Sequence, residues 1–412
     1  MKKLIIYLGL ALVSSSLFAQ DFEQYYQQAA DNHPALKAVF NEYYAILQQK
    51  AQVNKLPPPD IAFGAFILPV ETRLGAQRAK VGLTQMFPPV GQLKARANLV
   101  DKQAAVKLQQ AEIKRNQLYF ELQGHWYQLT KIESMKEIIK RELKRLDVFE
   151  QLALQKVSLG LGSTINIYRI QLKRNELNHE IELLENEIPA IQFAFQTILN
   201  NTDSSMNIIL PDTMPLRVLN YQIDSLSIWI KEQNPELQLM ELKNLALDQK
   251  KALRATENKA SLGVGLDYLW VTKRTDADPM YNGRDILMAR ASIKAPIYKE
   301  QNKARLKEVD FEKMALANQK EDIENILQLR LEEALTDYKA AQLELNYYQK
   351  QIEFTKKALD VLIANFSVDA KDFEEILRME EMLFMYERMQ LMRKLKQNMA
   401  VTMMEKLFAA PL

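Results

Sequence analysis

The chain writes its layout twice, and each copy ends in a helix far too long for an ordinary globular core. The first copy runs from Asn32, Pro34 and Leu36 through Pro88, Pro89 and Ala95-Arg96, the second from Asn234, Pro235 and Leu237 through Pro296 and Ala304-Arg305. In each, an Asn and Pro helix start precedes a pair of alternating strands, a proline-marked turn and a glycine-poor helix of about 65 residues, or about 100 Å. An offset of roughly 200 residues is too long for a solenoid repeat, so it reads as a duplicated half-molecule. The halves are 20–215 and 216–412, behind a leader at 1–19.

That leader, Met1 to Ala19, has Lys2 and Lys3, an apolar run from Leu4 to Val13 and a small residue, Ala19, before Gln20. This is the pattern of a secretory signal peptide. A retained anchor fits less well, because the run is shorter than the roughly 18 residues a span needs. No later stretch is long and uncharged enough to span as a helix, so a membrane location would require strands. The chain has no cysteine, which excludes disulfides, thiolate metal sites, a cysteine nucleophile and a lipidated N-terminal cysteine. It has 54 Lys and Arg against 52 Asp and Glu, two of the former in the leader, and this balance gives no reason to expect nucleic acid.

Asp21 to Leu56 reads as one helix stopped by Pro57, Pro58 and Pro59. Ile61, Phe63, Ala65 and Ile67 then alternate with Ala62, Gly64 and Phe66, and Val81 and Leu83 with Lys80, Gly82 and Thr84. In the second copy Leu262, Val264, Leu266, Tyr268 and Trp270 share one strand face, opposite Ser261, Gly263, Gly265 and Asp267. After a polar loop, Leu287, Ala289, Ala291, Ile293 and Ala295 alternate with Arg290, Ser292 and Lys294. One apolar face against a small or charged one suits a transmembrane barrel strand, and by pattern alone a half-buried soluble sheet equally. Export, and Tyr268, Trp270 and Tyr281 near a strand end as an interfacial girdle, favour the membrane. Four strands cannot close a barrel, for which about eight are the minimum, so such a chain must oligomerise.

The first long helix, about Gln92 to Val157, carries Leu118, Leu122, Leu129, Ile132, Ile139, Leu143 and Leu146 at alternating steps of three and four. The second, about Lys299 to Phe366, carries Ile323, Leu327, Leu331, Ala334, Tyr338, Ala341, Leu345, Tyr348, Ile352, Leu359, Leu362 and Phe366. Such heptads belong to helices that wind around one another. Each helix breaks, at Leu159-Gly160-Leu161-Gly162-Ser163 and at Ser367-Val368-Asp369-Ala370, and a returning helix makes a hairpin. Pro189 is expected to kink the first return arm. Asn200 to Pro215 reads as a linker lying against the helices.

Catalytic chemistry is not indicated, and no cofactor is expected. His33, His125 and His179 lie far apart without a carboxylate at ligand spacing, and there is neither a phosphate loop nor a nucleophile elbow. Met382, Met385, Met389, Met392, Met399 and Met403 form a row on the last helix, interrupted by Lys396. Adaptable seam packing explains it, with copper(I) ligation as the alternative. Asp369, Asp372, Glu374 and Glu375 crowd the second tip beside Lys371. A solvated hairpin end accounts for them, but in an oligomer each repeats as a ring, and charged rings at a constriction set ion selectivity.

Together these features resemble the TolC family of outer-membrane efflux proteins over essentially the whole mature chain. Specific echoes are Gln85-Met86-Phe87-Pro88-Pro89 with Gly91-Gln92-Leu93-Lys94-Ala95-Arg96, and Ala295-Pro296-Ile297 with Lys303-Ala304-Arg305. Gly162-Ser163-Thr164 and Phe373-Glu374-Glu375-Ile376-Leu377 follow the two tips. The resemblance implies a mainly α protein whose coiled-coil hairpins form an α-barrel, with four strands given to a trimeric twelve-stranded β-barrel. It implies a homotrimer in the outer-membrane lipid of a Gram-negative bacterium, extending into the periplasm as the exit duct of a tripartite efflux or type I export system. A periplasmic adaptor would dock on Gly160, Leu161, Gly162, Ser163, Ser367, Val368 and Asp369 and link an inner-membrane pump, of RND or second of ABC type. Lys371, Asp372, Glu374 and Glu375 become the periplasmic gate, Glu375 resembling the family's acidic constriction residue and Lys371 a basic partner. The family's second acid falls on Arg378, which puts a double acidic ring in doubt. The rival readings are a periplasmic adaptor, which has one hairpin flanked by β-modules, and a secreted coiled-coil scaffold, which needs no amphipathic strands.

Overall fold

The computed structural model of the chain describes residues 22–201, 206–368 and 373–409. The expected leader, Met1 to Ala19, and the tip residues Asp369, Lys371 and Asp372 lie outside them. Helices α1 (22–32) and α2 (Pro34–Val53) are followed by β1 (Asp60–Thr72), β2 (Gly75–Phe87), α3 (Gln92–Ser158) and α4 (Thr164–Leu199). The same order then recurs as α5 (Ile223–Gln233), α6 (Pro235–Thr256), β3 (Ser261–Thr272), β4 (Ile286–Lys294), α7 (Lys299–Val368) and α8 (Phe373–Phe408).

The single opening helix expected over Asp21 to Leu56 is instead two helices that meet at His33. Pro34 has no N–H and disfavours helical backbone in the residue before it, so it favours a fresh helix start here. His33 caps that start, its Nδ1 accepting from the Ala35 N–H at 3.2 Å. The matching residue of the second copy, Asn234, is buried and does more. Its Oδ1 accepts from the N–H groups of Glu236 (2.9 Å) and Leu237 (3.1 Å), while Nδ2 donates to the Leu407 carbonyl at 2.7 Å.

The first tip is a helix stop written in glycine. Gly160 takes a left-handed backbone with φ 72, the Leu161 N–H reaches the Lys156 carbonyl at 2.9 Å and the Gly160 N–H reaches Val157 at 3.0 Å. This is the Schellman arrangement, in which two orphan carbonyls are satisfied at once. Ser163 then caps α4 by accepting from the Ile165 N–H at 3.4 Å. Helix α4 continues through Pro189 without ending. Helix α7 runs on through Ser367 and Val368, where a break is expected, and the rest of that expected break, Asp369-Ala370, lies outside the described residues.

The chain divides into two compact units, each drawing on both halves. The first comprises the described residues of Met1–Ala38, Ala111–Leu237 and Ile323–Leu412. Its core is the expected seam: Leu118, Leu122, Leu129, Ile132, Ile139 and Leu146 of α3 are buried, as are Leu327, Leu331, Tyr338, Ala341 and Phe366 of α7. Leu143 is only half-buried, and its neighbour Glu142 is buried instead. Leu226 and Ile230 of α5 join Leu331, Tyr338, Met404 and Phe408 in one cluster. The segment after α4 is fastened along these helices by backbone groups. The Arg217 N–H donates to Asn398 Oδ1 at 2.8 Å, Asn398 Nδ2 to the Pro215 carbonyl at 2.7 Å, and the Leu219 N–H to the Tyr338 hydroxyl at 3.2 Å.

The second unit comprises Val39–Gln110 and Gln238–Asp322. Its strands form one antiparallel sheet in the order β1-β2-β3-β4, so the strand pair of each half joins the other through β2 and β3. Lysine ladders tie the helices in pairs. Lys50–Asp101 (2.9 Å) and Lys107–Glu42 (2.7 Å) link α2 to α3, and Lys250–Glu312 (2.6 Å), Lys313–Asp248 (2.7 Å) and Lys320–Glu241 (3.1 Å) link α6 to α7. Each such exposed pair contributes less than about 1 kcal/mol, so they set register more than stability.

Although the two copies share an Asn and Pro start, their asparagines should differ in weight. Asn234→Ala removes a buried cap and orphans the Leu407 carbonyl, a loss of about 2–3 kcal/mol. Asn32→Ala, at an exposed site, should cost under about 0.5 kcal/mol. Denaturant titration of the two variants checks the contrast.

Candidate functional site

Period-2 alternation puts like residues of all four strands into continuous rows. Phe63 pairs with Val81, Val81 with Tyr268 and Tyr268 with Leu287, and the next row is Ile61, Leu83, Leu266 and Ala289. Val264 with Ala291 and Leu262 with Ile293 extend the same face across β3 and β4. That entire face is exposed, including Trp270, with Phe63 at 81% and Trp270 at 62% of full accessibility. Tyr268 donates its hydroxyl to Asp285, and Tyr281 lies beneath the Arg284 guanidinium, 5.1 Å from its ring centre, so polar handles cluster at this end of the strands.

The opposite face is mixed: Leu269 and Val271 are buried on it, Ala62, Ser292 and Lys294 are exposed, and a buried ion cluster sits between them. Asp267 has 0% accessibility; Lys80 Nζ lies 3.0 Å from its carboxylate and the Arg290 guanidinium 3.8 Å. Arg290 also donates to Thr84 Oγ1 at 2.7 Å, so one cluster ties β2, β3 and β4. Gly82 makes room for it, since a Cβ there would stand 2.5 Å from Asp267 Oδ1. A half-buried soluble sheet turns its apolar side inward, whereas this one turns it out. Contiguous exposed apolar surface of this kind marks contact with lipid or with another protein. Among the described residues no helix is long and apolar enough to cross a membrane.

The hairpin tips lie in the other unit. Around the glycine tip, Leu159 and Leu161 are exposed, and Ile165, Tyr168 and Leu172 prolong an exposed apolar stripe up α4 at steps of four, three and four. Sequence reasoning took the glycines and missed the stripe, although its heptad spacing was there to read. Of the second-tip residues, Glu374 and Glu375 occupy the first turn of α8, where the helix dipole favours negative charge. Neither is free: Glu374 faces Arg169 at 3.2 Å and Glu375 faces Arg378 at 2.6 Å. The arginine standing where the resemblance expects a second acid therefore answers the first.

A second group of charges, which sequence reasoning also missed, is buried between α3 and α8. Glu142 (1% accessible) and Glu380 (4%) both approach Arg145. Burial pushes the Glu142 carboxyl above its usual range and raises Glu380 to about 7, Arg145 opposing both shifts. Elsewhere on α8, Met385, Met389, Met392, Met399 and Met403 are exposed, while Leu383, Phe384, Leu391, Ala400, Val401 and Met404 do the packing. Within one chain the methionine row is thus a partly exposed face beside the seam, with Met385, Met389 and Met392 lining a cavity together with Met135 and Leu184. Among the described residues no group of three or more His, Cys, Asp or Glu could hold a metal ion.

No family model matches the chain, and no curated protein sequence does. Solved structures do match. The outer-membrane channel OprN superposes with a TM-score of 0.76 at 14% identity, covering 95% of this chain and 90% of that one. A membrane protein from Pseudomonas aeruginosa gives 0.75 at 13%, covering 94% and 90%. The outer-membrane protein VceC of Vibrio cholerae gives 0.72 at 11%, covering 94% and 96%. The chain therefore has the fold of TolC-type outer-membrane channels, a mainly α architecture with a small four-stranded sheet.

If the apolar sheet face meets lipid, Leu266→Arg in its middle should cost about 2–4 kcal/mol of folding stability in bilayers. Ser292→Arg, exposed on the opposite face, should cost far less. Equilibrium unfolding from lipid vesicles measures both, and equal losses would contradict the assignment of faces.

Proposed function

We propose that this chain is one of three that form the exit duct of an efflux or type I export system in the outer membrane of a Gram-negative bacterium. The observation that carries this is the inverted sheet, apolar outside and ion-paired within, with β1 and β4 unpaired at its edges in one chain. Exposed edges invite pairing, and three copies of four strands give twelve, enough to close a barrel. The shared fold with outer-membrane channels supports the same reading. Residues 1–19 are then the export signal, and 20–215 and 216–412 each supply one strand pair and one hairpin. The protein is not an enzyme and carries no cofactor; it is a passive conduit, with energy coming from an inner-membrane pump.

The exposed faces find partners in the assembly. The methionine row of α8 meets a neighbouring chain, where flexible thioethers suit a seam that must repack. The apolar stripe from Leu161 to Leu172 receives a periplasmic adaptor. Lys371, Asp372, Glu374 and Glu375 form the gate at the second tip, beside the first. Opening separates the hairpins at that end and breaks its charge contacts.

Fractionation and conductance test this directly. The full chain should be recovered in the outer-membrane fraction, extract as a trimer and conduct ions in planar bilayers. A soluble periplasmic species without conductance would overturn the reading. Joint Lys371→Ala and Glu375→Ala should raise conductance and weaken its block by divalent cations, and unchanged records would remove these residues from the gate.

A further inference from the structure

Three carboxylates converge on one guanidinium between α3 and α8, little more than a helical turn behind the charged tip. Arg145 Nε lies 3.0 Å from Glu142 Oε2 and 3.0 Å from Glu380 Oε2, and its Nη2 also reaches Glu142 and stands 3.6 Å from Glu387. The single Nε hydrogen is donated to Glu142. Glu380 Oε2 consequently gains the charge of Arg145 but accepts no hydrogen bond, although it is buried. The surrounding elements do not redress the imbalance. From α3, Arg141 is 3.9 Å from Glu387, and from α7, Lys356 is 3.8 Å from the same residue, so both serve the outer carboxylate. From α4, Lys173 acts on Glu142 but is itself paired with Glu176 at 2.9 Å. The buried pair of acids thus shares one cation, and a net negative charge is left in the interface.

We propose that Arg145, Glu142 and Glu380 are positioning residues of the gate, holding the start of α8 against α3, and that uptake of one proton by Glu380 tightens the hold. A protonated Glu380 makes the buried group of Glu142, Arg145 and Glu380 neutral and removes the charge that Oε2 carries without a hydrogen-bond donor. Solvent reaches it through a cavity of about 440 Å³ lined by Arg169, Lys173 and Glu176 of α4 and by Glu374, Arg378 and Glu381 of α8. The cavity wall thus includes Glu374, and through it the cluster adjoins the tip. The inference rests on the channel reading, because it is gate opening that must pull α8 from α3.

The sign follows from the carboxyl titrating higher when packed than when separated. Preference for the packed arrangement is fullest below about 4.5, the ordinary value, falls by up to about tenfold per pH unit as pH rises, and levels off above about 7. Acid should close the gate, and the rise to neutral pH should loosen it.

Two readouts on the full-length protein test this. In planar bilayers, wild-type open probability should rise several-fold from pH 5.5 to 7.5, while Glu380→Gln should stay low and lose that dependence. In detergent, the protection factors of amides across 373–387, corrected for the intrinsic rise of exchange with pH, should fall over the same pH range in wild type and stay high in Glu380→Gln. Glu142→Gln, which also neutralises the group, should flatten both profiles, whereas Glu381→Gln on the cavity rim should leave them sloped. Absence of conductance in every protein, with exchange behaving as described, would sink the channel reading and keep the cluster. A wild-type pH slope that survives in Glu380→Gln would overturn the cluster.

Discussion

Everything in this chain depends on a sheet that is inside out. Its outer face, from Phe63 across to Leu287, is apolar and exposed, and its inner face carries Asp267 closed beneath Lys80 and Arg290. In water that arrangement forfeits roughly 25 cal/mol for each Å² of apolar surface left uncovered. In a bilayer the cost vanishes, and the inner face becomes the lining of an aqueous passage. The free edges of β1 and β4 pose the same question in hydrogen bonds: each unpaired backbone group within hydrocarbon costs several kcal/mol, so the edges must find strands of another chain. The duplicated layout follows from that need, since each half supplies one strand pair and β2 and β3 join them.

The helices then make use of the asymmetry between the halves. One tip is closed by Gly160 in a glycine stop and presents an apolar stripe along α4. The return helix of the other tip starts with Glu374 and Glu375, each matched by an arginine of the same chain. Pairing within the chain weakens any argument that a naked acidic ring controls the passage, because Arg378 cancels Glu375 at close range. The buried carboxylates behind this tip are a different matter, since there burial and not a partner decides their charge.

Much of the fold was legible because its strongest signals are periodic. Alternation over Ile61 to Ile67 and Leu262 to Trp270 marked the strands, and steps of three and four over Leu118 to Leu146 marked the seam. What escaped were places where the same letters meet different surroundings. Asn32 and Asn234 head matching motifs, yet Asn234 alone is buried, because only there does the end of α8 lie against the cap. His33 broke a helix that propensity would have continued, the constraint being Pro34. Glu142 and Glu380 looked like solvated charges on long polar helices, and burial of a charge depends on the neighbouring helix, which periodicity does not name. The methionine row passed for a seam since its spacing is right, whereas Leu383, Leu391 and Met404 occupy the packed side.

The central claim is that edge strands of three chains pair to close one barrel, and a chain without cysteine permits a direct test. Single cysteines placed along β1 and along β4 in the same molecule, oxidised in intact outer membranes, report which strands of neighbouring chains lie side by side. The expected outcome is a denaturing-gel ladder that stops at three chains, for β1–β4 combinations whose positions face one another and not for those displaced along the strand. Monomers alone for every combination, or a ladder that runs on past three, would contradict closure by a trimer.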